Sequence, residues 1–455
     1  MGDVLNLVED AFVRSEARSV QAAKDMLPLY ENAYDGVYRI YLPLKVREEL
    51  ANRLGIRTNL CAAVVDAMVS KLDLKSYTAD NETDQQILVE EYEYNQLELQ
   101  STEVHRVTAI DADGYMMIWP EYDALNKATK HAFVRTLAAQ DTDMVYSPTD
   151  KLLPIRCTHQ WYEEELGTQY TGKPVIRRDI MTAATIHRQY SVSGDGDKWR
   201  DWTFDGLPGI VKNDLGVIPV VHFRNKIGLS PFGTSELENA LPIQEDINRL
   251  VQDAMIRSYF NGGQQIAIAG VDFDKYNDGK GLSREAWAAW FFDNENASIT
   301  VIPPQKMDDM WNSVDKRIDH LARVTRTPMS YLDPKAVPSG VAMQEMSGPL
   351  IDKVYEAQTV LGSAWARVFQ LILKVRTGNI IPVHVEWEEP FVQSNIDTDL
   401  KLFAAGAISQ AELLRRQGMN QTQIDTIIAE RQEEQRQAAT SIFKLPTIVP
   451  PIGAS

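Results

Sequence analysis

The chain has 455 residues, with 46 Lys and Arg against 64 Asp and Glu, a formal charge of −18. That balance argues against a protein that grips nucleic acid across a wide basic surface, because such a grip comes from cations that release counterions from phosphates. Apolar residues make up 44% of the chain, enough to pack cores in about two to four domains, so a disordered chain is excluded.

Cys61 and Cys157 are the only cysteines, too few for a disulfide framework or a cysteine-rich zinc site, and they fit synthesis in a reducing cytosol. The N-terminus lacks a basic start followed by an apolar run, and no segment approaches the roughly 18 apolar residues of a membrane span. Secretion and membrane insertion are both disfavoured.

Helical spacing begins at Asn59 to Leu72, where Cys61, Val64, Val65, Met68 and Leu72 share one apolar face. A second helical pattern covers Asp84 to Val107, with Asp84 as its cap. From Gly114 to Ser191 short β-type runs take over, ending in the long run Val175 to Ser191, and they read as one meandering antiparallel sheet. Asn213 to Asn225 adds a strand whose Pro219 suits a sheet edge. A helix capped by Ser235 and kinked at Pro242 then runs to Tyr259. Residues 263–306 read as a small α/β insert, and a helix from Met307 to Val324 returns antiparallel to the first.

Three prolines and a glycine make Thr327 to Gly340 a loop. A very long helix follows from Val341 to Arg376, with a kink expected at Gly348-Pro349. Ile380 to Pro390 is a late strand that returns to the early sheet, so the domains are discontinuous. Asp397 to Ala438 is helical and charged, and the tail from Leu445 is proline-rich and loose.

Catalytic motifs are sparse. No H-E-x-x-H, G-x-S-x-G or Walker A pattern occurs, which removes the motif-defined zinc protease, α/β-hydrolase and P-loop readings. Asp274, Asp278, Gly279 and Glu285 fall at Ca²⁺-loop spacing, but Tyr276 stands at a ligand position, so a polar turn is preferred and no metal or cofactor is assigned. Glu163 to Glu165 and Glu386 to Glu389 pair carboxylates with aromatics, the pattern of a carbohydrate-active hydrolase. Charged residues on the wet face of a sheet are the commoner explanation. Acidic residues gather on the two helices that flank the insert: Glu236, Glu238, Glu245, Asp246 and Asp253 on one, Asp308, Asp309, Asp315 and Asp319 on the other. A solvated helix face is the commoner explanation; if the helices instead line a channel for a polyanion, the same charges would keep it from sticking.

An α/β body, a helix, a small insert, a second helix, a Pro/Gly loop, a long kinked helix and a helical end, in this order, resemble the portal proteins of tailed bacteriophages, most closely the Gp6-like branch. The likeness rests on Leu215 to Asn225 (LGVIPVVHFRN), Phe232 to Glu236 (FGTSE), Leu241 to Asn248 (LPIQEDIN) and Pro338 to Ala342 (PSGVA). The resemblance implies an α+β portal-type fold. Residues 1–232 with 341–394 would be the wing, 233–262 and 307–326 the stem, 263–306 the clip, 327–340 the tunnel loop, 395–444 the crown and 445–455 a flexible tail.

It also implies a non-enzymatic, usually dodecameric ring at one capsid vertex of the virion, assembled in the bacterial host cytoplasm. Such a ring conducts double-stranded DNA during packaging and ejection, and it contacts terminase, a head-completion or adaptor protein, and capsid and scaffold proteins. Lys335, Arg326 and Ser339 would then face DNA from the tunnel loop, and Glu245, Asp246, Asp253, Asp315 and Asp319 would line the channel. Trp287, Trp290, Asp293 and Glu295 would form the docking face of the clip, and Trp365 and Phe369 would meet a neighbouring subunit. A head-to-tail adaptor is the alternative ring former, and a multidomain hydrolase the alternative from another class.

Overall fold

A computed structural model describes residues 24–38, 58–122, 128–192, 198–226, 228, 230–261, 265–269, 298–302, 308–333, 340–390, 396–416, 424 and 427–428. The chain forms a mixture of helices and antiparallel sheets in two compact units, Met1–Glu388 and Glu389–Ser455.

The larger unit opens with helix α1 (24–34) and helix α2 (Cys61–Val69), whose Cys61, Val64, Val65 and Met68 are all buried as the spacing predicts. Strand β1 (Leu74–Ala79), absent from the sequence reading, pairs antiparallel with the late strand β13 (Val383–Trp387). The late strand therefore does return to the early chain, but it forms a separate two-stranded sheet.

The helix expected over Asp84 to Val107 is two helices, α3 (Glu82–Tyr94) and α4 (Leu97–Asp111). Asn81 caps α3 in place of Asp84: its side chain accepts the Asp84 N–H at 2.8 Å. The break falls at Gln96, which takes the left-handed conformation at φ 51°. Asn95 secures it, since its side-chain oxygen accepts the Val134 N–H at 3.1 Å.

The single expected meander is two sheets. Strands β2 (Asp113–Tyr122) and β3 (Ala128–Leu137) join β10 (Val220–Arg224) in the order β10-β2-β3, which places the strand after Pro219 at an edge. Strands β4 (Thr142–Tyr146), β5 (Pro154–Glu163), β6 (Val175–Met181), β7 (Thr185–Val192) and β8 (Arg200–Asp201) form the other sheet, with β9 (Ile210–Lys212) paired to β7. The run Val175 to Ser191 folds back at Thr182, whose N–H donates to the Thr185 carbonyl at 2.9 Å and whose hydroxyl accepts the Thr185 N–H at 3.0 Å. A short helix, α5 (Glu165–Thr171), begins in the carboxylate run Glu163 to Glu165 and separates β5 from β6.

Helix α6 (Ala240–Asn261) and helix α7 (Asp308–Thr325) follow, separated in sequence by the hairpin of β11 (Gln265–Ala269) and β12 (Ser298–Ile302). Gln265 pairs with Ile302 at one end, and Arg317 reaches Asp246 at 3.8 Å further along, so the two helices run antiparallel as expected. Pro242 sits in the first turn of α6, where its missing N–H costs nothing.

Met329–Leu332 forms one helical turn, α8, inside the segment read as a loop. Helix α9 (Gly340–Thr377) continues through Pro349. It packs on β13, β10 and α3, and buries Leu350, Val354, Leu361, Trp365, Val368, Phe369 and Leu373. In the smaller unit, α10 (Ile396–Ala404) packs on α11 (Gln410–Arg416), whose Glu412 N–H is capped by the Ser409 hydroxyl at 3.1 Å.

Candidate functional site

Three of the quoted motifs, Leu215 to Asn225, Phe232 to Glu236 and Leu241 to Asn248, meet at the root of α6. Gly233 is required there by space: a Cβ would lie 2.2 Å from the Ala112 carbonyl oxygen and 2.5 Å from that of Asn225. The tight passage is stitched by backbone bonds, Asn225 N–H to Ala112 O at 2.8 Å and Thr234 N–H to Asn225 O at 2.7 Å. Asp113 accepts the Gly233 N–H at 2.8 Å and pairs with His222 at 2.7 Å. The Ser235 hydroxyl donates to the Ile110 carbonyl and accepts the Leu237 N–H at 3.0 Å, so it fixes the turn before the helix; the expected cap is corrected, because α6 begins at Ala240, five residues further on.

Glu236 was grouped with the solvated acidic face, and it is instead buried. Its carboxylate meets Lys353 of α9 at 2.6 Å and Lys226 at 2.9 Å, and accepts from the Asn225 amide at 3.1 Å. Lys353 also donates to the Thr325 carbonyl at the end of α7, at 3.1 Å. One buried ammonium thus ties the root of α6, the end of α7 and the long helix together. Burial works to raise the Glu236 carboxyl, but Lys353 and Lys226 outweigh it and hold it below the ordinary carboxylate range.

Gln244 and Asn248, one helical turn apart in LPIQEDIN, turn their amides to the segment before α2. Gln244 accepts the Leu60 N–H at 2.9 Å and donates to the Thr58 carbonyl at 2.6 Å, and Asn248 accepts the Thr58 N–H at 3.2 Å. Their signal in the sequence was two amides at i and i+4 on the otherwise apolar face of Ile247 and Val251.

Among the expected channel residues, Glu245, Asp253 and Asp315 are exposed, and Asp246 and Asp319 are half-buried. Arg326 adopts φ 55° and forms a two-pronged pair with Glu356 of α9 at 2.7 and 3.0 Å, which raises its pKa. Lys335, Ser339, Trp287, Trp290, Asp293, Glu295 and the Asp274 to Glu285 segment lie outside the described residues.

Trp365 and Phe369, expected at a subunit contact, are corrected by their burial. Both are 0% exposed within their own chain. The Trp365 indole donates to His105 Nε2 at 2.8 Å and sits edge-on to Phe223, so no surface is left for a neighbour. The apolar excess of α9 is absorbed by the strands and helices it crosses.

Glu163 ends β5 and Glu386 lies in β13, in separate sheets, with Glu386 accepting from the Ser76 hydroxyl at 3.0 Å. Among the described residues no group of His, Cys, Asp and Glu can hold a metal ion, and no helix is long and apolar enough to cross a membrane.

The family profile described as phage portal protein, SPP1 Gp6-like, matches residues 15–438. No individually curated protein matches the chain. A chain in the solved structure titled "Virion of native gene transfer agent (GTA) particle" superposes with a TM-score of 0.46 at 9% identity, over 84% of this chain and 96% of that one. The profile match spans nearly the whole sequence, and the chain belongs to the SPP1 Gp6-like family of phage portal proteins, a structural family of capsid-associated, ring-forming virion components.

Proposed function

We propose that the chain assembles into a closed ring, twelve copies in the usual family arrangement, at one vertex of the capsid. It conducts double-stranded DNA during packaging and ejection and catalyses no reaction. The observation that carries this reading is the antiparallel stalk of α6 and α7, rooted in the α/β body by Glu236 and Lys353, in a chain that the portal profile matches almost end to end.

In this arrangement residues 1–232 with 341–394 are the wing, 233–262 and 307–326 the stem, 263–306 the clip, 327–340 the tunnel loop and 395–444 the crown. Glu245, Asp253 and Asp315 project from the stem, and with Asp246 and Asp319 they give the channel an acidic wall on which phosphates find no well. Terminase, and later a head-completion or adaptor protein, dock on the clip through Trp287, Trp290, Asp293 and Glu295. ATP hydrolysis belongs to the terminase, in keeping with the missing Walker motif. Assembly takes place in the host cytoplasm with capsid and scaffold proteins.

Within the tunnel loop Lys335 supplies the weak, salt-sensitive phosphate contact, with Ser339 four residues further on; Arg326 contributes only while its pair with Glu356 is open. Packaging assays with Lys335→Glu test this. Stalled packaging with rings intact supports the role, and packaging at the wild-type rate removes Lys335 from the DNA path.

A further inference from the structure

A groove of about 500 Å³ is bounded by the turn between β4 and β5, by β10 and by α9. Leu152, Leu153, Ile218 and Val360 make its walls apolar, and at the turn Leu152 is 70% and Leu153 55% exposed. Apolar side chains left in water beside a groove mark a contact surface. The charged residues that line it are Arg224 and Arg367, with no carboxylate, in a chain whose acids outnumber its bases by 64 to 46.

Neither arginine has an ion pair among the described residues. Arg367 is half-buried and donates to the Gln370 side chain at 3.3 Å, and burial lowers its pKa with no neighbouring charge to oppose it. Arg224 donates to the Pro231 carbonyl at 3.4 Å; its cross-strand neighbour Asp113 is held by His222 at 2.7 Å and by the Gly233 N–H at 2.8 Å. A guanidinium that has given up part of its water without gaining a carboxylate favours an anionic partner.

The complement lies at the other end of the same strand. β5 starts at Pro154 beside the groove and ends at Glu163, about 30 Å away at the usual rise of a strand. There Tyr162, Glu164, Glu165 and Leu166 are exposed, and Glu164 and Glu165 have no ion pair among the described residues. Residues 162–166 thus form a knob that is apolar and acidic where the groove is apolar and basic. With the two at opposite ends of one sheet, a two-fold pair of this groove would set arginine against arginine. Head-to-tail contact instead seats a knob in every groove, the geometry that closes rings.

We propose that the knob 162–166 of one copy seats in this groove of the next, with Glu164 and Glu165 toward Arg367 and Arg224, and Tyr162 and Leu166 against Leu152 and Leu153. The inference rests on the ring reading above and names a contact that holds the ring.

The test is mass photometry of the full-length protein over a dilution series at fixed ionic strength, reading the concentration at which half the rings have dissociated. Arg367→Glu, and separately Glu164→Arg with Glu165→Arg, should each raise that concentration by about tenfold or more, since each sets like charge against like. Circular dichroism checks that the variants are folded. Mixed in equal amounts, the two variants should co-assemble to within about threefold of the wild-type concentration, because alternating copies again match every knob with a groove of opposite charge. Unchanged dissociation of either variant, or a mixture no better assembled than its components, would overturn the proposal. Should Arg367→Glu fail to fold, Arg367→Gln takes its place: assembly weakened by about threefold or more supports the contact, and unchanged assembly refutes it. Wild-type protein that forms no ring overturns the ring reading and this contact together, whereas equally stable rings in wild type and variants refute the contact alone.

Discussion

Replacing Lys353 by methionine keeps the length of the side chain and removes its charge at the point where α6, α7 and α9 meet. Lys353 and Glu236 have side chains only 2% exposed and lie 2.6 Å apart, so neither charge can turn to water when the other is lost. Breaking such a buried pair costs about 3–5 kcal/mol. Here Glu236 keeps Lys226 at 2.9 Å and the Asn225 amide at 3.1 Å, which places the expected cost near the lower bound, about 3 kcal/mol. The Thr325 carbonyl loses its donor as well.

Denaturant unfolding of the full chain, followed by tryptophan fluorescence, reads this directly, because Trp365 lies on the same helix. The double variant Glu236→Gln, Lys353→Met should cost clearly less than the sum of the two single changes, since the orphaned carboxylate is then gone. The pH dependence has a definite sign. The folded pKa of Glu236 lies below its usual 4.5, so its contribution is present above that value and is lost as the pH falls through the folded pKa. Lys353→Met should lose much of this acid sensitivity. A variant as stable as the parent, or additive single and double changes, would refute the latch.

Gly233→Ala forces a Cβ to within 2.2 Å of a backbone oxygen, so the chain should fail to accumulate as soluble protein, which expression and solubility assays would reveal. Trp365→Ala opens a cavity and strips His105 of its donor; a loss of about 3–5 kcal/mol is expected in denaturant unfolding, and no loss would mean that α9 is misplaced. Gln244→Ala removes two hydrogen bonds to the Thr58–Leu60 backbone, and hydrogen exchange should show faster exchange of the Leu60 amide with little change in β5. Asp111→Asn removes a carboxyl whose folded pKa, about 7, lies above its usual 3.8. The destabilisation by Asp111 is absent below the lower value and complete above the upper one, so the variant should gain at most about 4 kcal/mol at pH 8 and nothing at pH 3.

Local periodicity made the elements legible where a single face meets the core. The face of Cys61, Val64, Val65 and Met68 is read at 3.6-residue spacing and is buried as a unit. The same reasoning found α6, α7 and the strands of the insert between them. It missed the break at Gln96, because neither Asn95 nor Gln96 is a strong punctuating residue and the break is held by a bond to the distant Val134. It merged two sheets into one, since pairing partners such as Val220 and Met117 are set by non-local packing.

The buried triad was illegible for the same reason: Glu236 and Lys353 are far apart in sequence, and a lone Glu beside a helix reads as solvated. Trp365 shows the limit of apolar counting. The count gave the right amount of buried surface on α9, but not whether the chain itself or a neighbour covers it.

The most direct test of the portal reading is the mass and shape of the purified protein. Mass photometry with negative-stain microscopy should give one species at ten or more multiples of the 51.4 kDa chain, seen end-on as a ring with a central hole. A monomer or dimer under the same conditions, with no ring in the images, would contradict it.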